Sequence, residues 1–263
     1  NIQDDPYLID KQGAGQAVML GLLNTGKSSL LKSLTNAKVK VASYPFTTTL
    51  PEPGMIPYED IKIQLVDTPP LTEDGIPGPF MTTIFNAEML LLLVDLSSER
   101  CIDQLQTLLS LLKDRRILRD NVPQGVRAFS SDKFQIIGTK YDIESSADRL
   151  EILKDLMPDL PEIITISTET EKNLSKVQKI IFDKLEIIRI YTKAPGKKAD
   201  LEKPFTLRRG DTVLDFAEKV HRDIAKNLKK ARVWGSARFD GQAVSQDYCL
   251  EDGDIVELHE KSR

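Results

Sequence analysis

The chain of 263 residues has little of the chemistry on which most hydrolases rely. Histidine occurs twice, at His221 and His259, far along the chain from its glycine-rich loop, so a Ser-His-Asp or Cys-His mechanism has little support. Cysteine also occurs twice, at Cys101 and Cys249, with no metal-ligand spacing. That argues against a zinc centre or a disulfide framework and makes a reduced, cytoplasmic compartment the expectation. No apolar run reaches the ~20 residues of a membrane span. No secretory leader is visible, but the chain opens on Asn1 rather than Met, so this carries little weight. A net charge of −4 argues against a protein that coats nucleic acid. The charge is uneven, however: from Lys193 onward there are 15 Lys+Arg against 13 Asp+Glu. That part is the better surface for an acidic partner, or simply a solvated one. The length suggests about two domains at roughly 150 residues each.

What is present centres on Gly21-Leu22-Leu23-Asn24-Thr25-Gly26-Lys27-Ser28, which reads G-x-x-x-x-G-K-S. An apolar run, Ala17 to Leu20, precedes it, and Ser29 to Leu34 follows as a helix-like run. Strand, glycine loop and helix in that order are the setting of a phosphate-binding loop. The two glycines let consecutive N–H groups converge, and the helix N-terminus adds partial positive charge. Lys27 reaches the outer phosphates and Ser28 ligates Mg²⁺ in such a loop.

Downstream, residues 39–54 hold three prolines and a threonine cluster, which predicts irregular backbone. The segment is either a plain loop or a switch whose threonine closes on Mg²⁺ and the outermost phosphate. Ile61 to Val66 predicts a strand ending at Asp67, placed for a direct or water-mediated Mg²⁺ contact. Leu71 to Phe80 is rich in Gly and Pro and is expected to be mobile. Further strands are predicted at Glu88–Leu96, Phe134–Gly138 and Ile163–Ser167, with helices from Ile102 to Leu112 and from Asn173 to Ile190. This alternation predicts an α/β domain with a mostly parallel sheet flanked by helices, and a ligand at the carboxyl ends of its strands.

Together these residues resemble the Obg and DRG group of P-loop GTPases. Asn24 fits that group's G-x-x-N-x-G-K-S, and Tyr44-Pro45-Phe46-Thr47-Thr48 is similar to its aromatic-threonine-threonine switch. Asp67-Thr68-Pro69-Pro70 stands where the group has D-x-P-G, and Thr139-Lys140-Tyr141-Asp142 where it has N-K-x-D. Ser167-Thr168-Glu169 is similar to its S-A-x loop. The resemblance implies GTP and GDP as ligands, held by residues 21–29 (through Ser29), Phe46, Thr47, Thr48, Asp67, Thr139, Lys140, Asp142, Ser167 and Thr168. It implies Mg²⁺ on Ser28 and Thr48, and catalysis supported by Lys27, Thr48 and Asp67. Asp142 would accept from both N1–H and the 2-amino group of guanine, and Thr168 N–H would face O6. Asn24 either helps to hold K⁺ against the phosphates or only shapes the loop. Pro70 removes an N–H that relatives aim at the γ-phosphate, and Leu71 stands where some GTPases position water with Gln. Slow hydrolysis follows, or a nucleotide-binding scaffold with little hydrolysis.

The remainder closely resembles the TGS domain, a small α+β, ubiquitin-like β-grasp module. The pieces that carry this include Leu207-Arg208-Arg209-Gly210-Asp211-Thr212-Val213 and Leu250-Glu251-Asp252-Gly253-Asp254. The expected organisation is a lead-in at 1–14, a GTP-binding domain at 15–192, a linker at 193–203 and the TGS domain at 204–263. One helix is expected from Thr212 to about Leu228, bearing Arg222, Lys226, Lys229 and Lys230. The family's implied role for this module is docking to ribosome, RNA or a protein partner.

Overall fold

In the computed structural model, residues 5–35 and 50–260 are described, and they divide into two compact units. The first contains residues up to Tyr58 and Lys62–Leu185. Its elements run β1 (Gln16–Leu20), α1 (Lys27–Thr35), β2 (Glu52–Tyr58), β3 (Ile61–Asp67), α2 (Phe80–Asn86), β4 (Met89–Asp95) and α3 (Cys101–Asp114). There follow β5 (Phe134–Thr139), α4 (Ser145–Leu156), β6 (Ile163–Thr165) and α5 (Leu174–Lys184). The sheet order is β2-β3-β1-β4-β5-β6, with β3, β1, β4, β5 and β6 mutually parallel. Strands covered on both faces need unbroken apolar runs. Accordingly, every residue of β1 and of β4 is buried. Gln16 is the polar exception in β1, and it is satisfied by Gln64 Oε1 at 2.8 Å and Ile9 O at 3.1 Å. The lead-in is therefore tied down: Asn86 Nδ2 also donates to Ile9 O, and Thr83 Oγ1 to Tyr7 O.

Several expectations need correction. Residues 52–54, expected to be irregular, begin β2. Pro53, Gly54 and Pro57 fit there because β2 is an edge strand, where a missing N–H disrupts only one ladder. Within the segment 71–80, expected to be mobile, Leu71 and Ile76 are anchored in the core, each only 2 % exposed. The last helix of this unit ends at Lys184 instead of Ile190. The switch residues Tyr44, Phe46, Thr47 and Thr48 lie outside the described residues.

The second unit comprises Glu59–Ile61 and Glu186–Arg263. Its elements are β7 (Ile187–Lys193), β8 (Ala199–Arg208), α6 (Val213–Val220), α7 (Arg222–Asn227), β9 (Leu228–Trp234), β10 (Gln242–Val244) and β11 (Ile255–Glu260). The sheet order is β10-β9-β11-β7-β8, antiparallel except for the β11–β7 pair. The stretch read as a linker at 193–203 is instead a hairpin: Gly196 turns at φ +73° and Lys197 N–H donates to Ala194 O. Polar composition hid a pair of strands. The single helix expected after Thr212 is two. A reciprocal Thr212–Asp215 capping box starts α6, and His221, extended at φ −167° and ψ 136°, breaks the run. Lys229, Lys230 and Arg232 consequently lie on β9. Phe216 fills the core of this unit with its ring edge-on to Phe205.

Candidate functional site

The site is built at the carboxyl ends of β1, β3, β4 and β5. The chain leaves β1 at Gly21, where a Cβ would stand 2.5 Å from Thr25 Oγ1 and 3.0 Å from Leu93 O. Only glycine fits there. Gly26 then adopts φ +86°, and α1 begins at Lys27. Inside the loop Thr25 Oγ1 donates to Leu22 O at 3.1 Å.

Lys27 is 6 % exposed, and its ammonium is turned onto its own loop. Its Nζ donates to Gly21 O and Leu22 O, both at 3.1 Å. Burial pushes its pKa down to about 8, while the charge of Asp67 works the other way. Ser28 Oγ donates to Asp67 Oδ2 in a short contact. Asp67 Oδ1 is buried with no hydrogen-bond partner among the described residues. Burial raises the pKa of Asp67, partly offset by Ser28 and Lys27, and the Thr68 N–H acts in the same direction as those two. An orphaned buried carboxylate oxygen beside a serine hydroxyl is a donor set suited to a hard cation such as Mg²⁺. These features face a cavity of about 470 Å³ whose walls include Asn24, Lys27, Ser28, Thr68, Pro70 and Lys140.

The other predicted residues lie on two neighbouring loops, and of them Lys140 lines the cavity. Thr139, at the tip of β5, places its hydroxyl 2.9 Å from Thr25 O and 3.1 Å from Val94 O. It thus links the phosphate loop to β4. Lys140, at φ +57°, pairs with Asp95 Oδ2 at 2.6 Å. Asp142 is exposed in the turn that follows. Ser146 Oγ holds Lys140 O at 2.9 Å, and Tyr141 N–H donates to Ile166 O, joining this loop to the one carrying Ser167 and Thr168. Ser167 is buried and Thr168 half-buried. Asp95 was missed in the sequence. In the sequence it is only the last residue of an apolar run; its link to Lys140 comes from the pairing of β4 with β5.

Two further contacts shape the cavity wall. Leu71 N–H donates to Gly21 O at 3.0 Å, so that carbonyl serves both Leu71 and Lys27. Thr68 Oγ1 donates to Met19 O at 2.6 Å.

The geometry agrees with comparisons to known proteins. Residues 16–122 match the family model described as a 50S ribosome-binding GTPase, and residues 188–260 match that of the TGS domain. The chain is 31 % identical to an uncharacterized GTP-binding protein of Methanocaldococcus jannaschii, over 96 % of this chain and 80 % of that relative. It is 27 % identical to developmentally-regulated G-protein 2 of Arabidopsis thaliana, over 98 % of this chain and 79 % of that one. The solved structure of the Schizosaccharomyces pombe YchF GTPase is similar in fold, with a TM-score of 0.61 at 13 % identity, covering 96 % of this chain and 99 % of that one. The chain belongs to the developmentally-regulated GTP-binding protein family, with a P-loop GTPase domain followed by a TGS domain.

Proposed function

We propose that this protein binds GTP and GDP with Mg²⁺ in the cavity above Lys27 and hydrolyses GTP slowly, as a molecular switch of the cytoplasm. The observation that carries the reading is the buried Lys27 ammonium, which donates to two neutral carbonyls, beside an Asp67 oxygen with no hydrogen-bond partner among the described residues. Phosphate oxygens are stronger acceptors for an ammonium than peptide carbonyls. Lys27 would swing from Gly21 O and Leu22 O to the outer phosphates. Ser28 and Asp67, with Thr48 from the segment outside the described residues, would hold Mg²⁺, which supplies neutralising charge at the phosphates. Asn24, exposed at φ +63° on the cavity wall, would either hold K⁺ in the same role or shape the loop alone. Lys140 and Asp142 would take the guanine, with Ser167 and Thr168 closing its far edge.

Slow hydrolysis has its own support. Leu71 is 2 % exposed, packed in the core, and offers no group that could orient water. A scaffold with negligible hydrolysis is the second reading on the same observation, and single-turnover assays separate the two. The TGS module would dock the protein to ribosome, RNA or a protein partner, with exposed Arg222, Lys226, Lys229, Lys230 and Arg232 as its basic contribution.

The test of guanine recognition is Asp142→Asn. The carboxylate matches the paired donors of guanine, and an amide matches the 2-oxo group of xanthine. The variant is expected to lose GDP affinity by tenfold or more, in line with the ~1.5–3 kcal/mol of a charged hydrogen bond, and to gain xanthosine diphosphate. Retention of the wild-type preference would remove Asp142 from the base site.

A further inference from the structure

We infer that the segment following Asp67 is insensitive to the outermost phosphate, and that Pro70 sets a low discrimination between GTP and GDP. This rests on the guanine-nucleotide reading above. A loop reports a phosphate only through groups that the phosphate engages differently in its two states. Thr68 and Pro70 form the wall of the cavity on this side. From the Thr68 hydroxyl to the Leu71 N–H, the donors of that wall are absent or already committed. The Thr68 hydroxyl is given to Met19 O at 2.6 Å. Pro69 and Pro70 have no N–H. The next N–H, that of Leu71, is given to Gly21 O at 3.0 Å.

The segment is also anchored at its far end. Leu71 and Ile76 belong to the main core of the first unit, and a turn closed by Gly75 N–H to Thr72 O lies between them. Pulling the wall toward a third phosphate would expose Leu71 and break its bond to the phosphate loop. No donor at residues 69–71 would offset that. A ligand with equal affinity for two states shifts neither. The segment therefore keeps one arrangement with GDP and with GTP, and the affinities for the two differ little through it.

Restoring the donor tests this. Wild-type protein, Pro70→Gly and Pro70→Ala would be titrated with GDP and with a non-hydrolysable GTP analogue, with amide hydrogen exchange followed across residues 71–80. Pro70→Ala supplies the N–H without the extra backbone freedom of glycine, so the pair separates donor from flexibility. The wild type is expected to show the same exchange with both nucleotides. Both variants are expected to raise the affinity ratio of analogue to GDP roughly tenfold or more and to gain protection with the analogue alone. Protection of 71–80 in the wild type by the analogue but not by GDP would overturn the inference. So would an unchanged ratio in both variants. Failure of the wild type to bind either nucleotide would instead overturn the guanine-nucleotide reading, and this inference with it.

Discussion

Nucleotide binding should take up a proton at mildly alkaline pH. In the free protein, burial holds the Lys27 amine at about 8, against the pull of Asp67. A bound diphosphate places oxyanions where the carbonyls of Gly21 and Leu22 now accept. Opposite charge favours the ammonium and carries its pKa back toward the ordinary ~10.4. The complex then holds more protons than the free protein, so affinity is full below pH 8 and falls as pH rises above it. At pH 8 about half of the empty molecules lack the proton, and each bound GDP takes up roughly half a proton. By the same linkage, affinity at pH 8.5 should be about fourfold lower than at pH 7. Calorimetry in buffers of different ionisation enthalpy reads the proton count directly from the slope of the apparent enthalpy. Zero uptake at pH 8, together with a flat affinity from pH 7 to 8.5, would refute the picture of Lys27 as a desolvated cation waiting for phosphate.

Two further substitutions probe the frame of the site. Gly21→Ala forces a Cβ against Thr25 Oγ1 at 2.5 Å, with Leu93 O behind it at 3.0 Å. It should cost about 1–3 kcal/mol of stability and weaken GDP binding, which thermal melts and calorimetry would show. Thr139→Val keeps the shape but removes the hydroxyl shared by Thr25 O and Val94 O. A loss of about 1–3 kcal/mol is expected, recovered by Thr139→Ser; equal melting temperatures for the three proteins would deny the bridge any weight.

The chemistry of this site was legible in the sequence where it is local. A phosphate loop needs its glycines, lysine and serine within eight consecutive residues, so Gly21 to Ser28 announced itself. Likewise β4 and β5 are short apolar runs whose burial on both faces leaves no other reading. What was not legible depends on partners distant in the chain. Asp95 acquires its role only because β4 and β5 are neighbours, which brings Lys140 to it. The break at His221 is written weakly, since the apolar spacing of Val220, Ile224 and Leu228 continues through it; Leu228 is buried as the first residue of β9 instead. The hairpin at 193–203 and the start of β2 were obscured by Pro, Gly and Lys, residues that mark loops in general but are tolerated on edge strands.

The Gly21 carbonyl, shared by Lys27 and Leu71, makes a spectroscopic gauge. When Lys27 leaves for a ligand, the oxygen keeps Leu71 as its donor, and the polarisation of that peptide group changes. The amide proton of Leu71 and the carbonyl carbon of Gly21 should shift together in a labelled sample. Because the phosphates common to GDP and GTP suffice to draw Lys27 away, the shift records filling of the loop. In spectra of this protein, the pair would separate loaded from empty molecules while leaving the identity of the load to other signals.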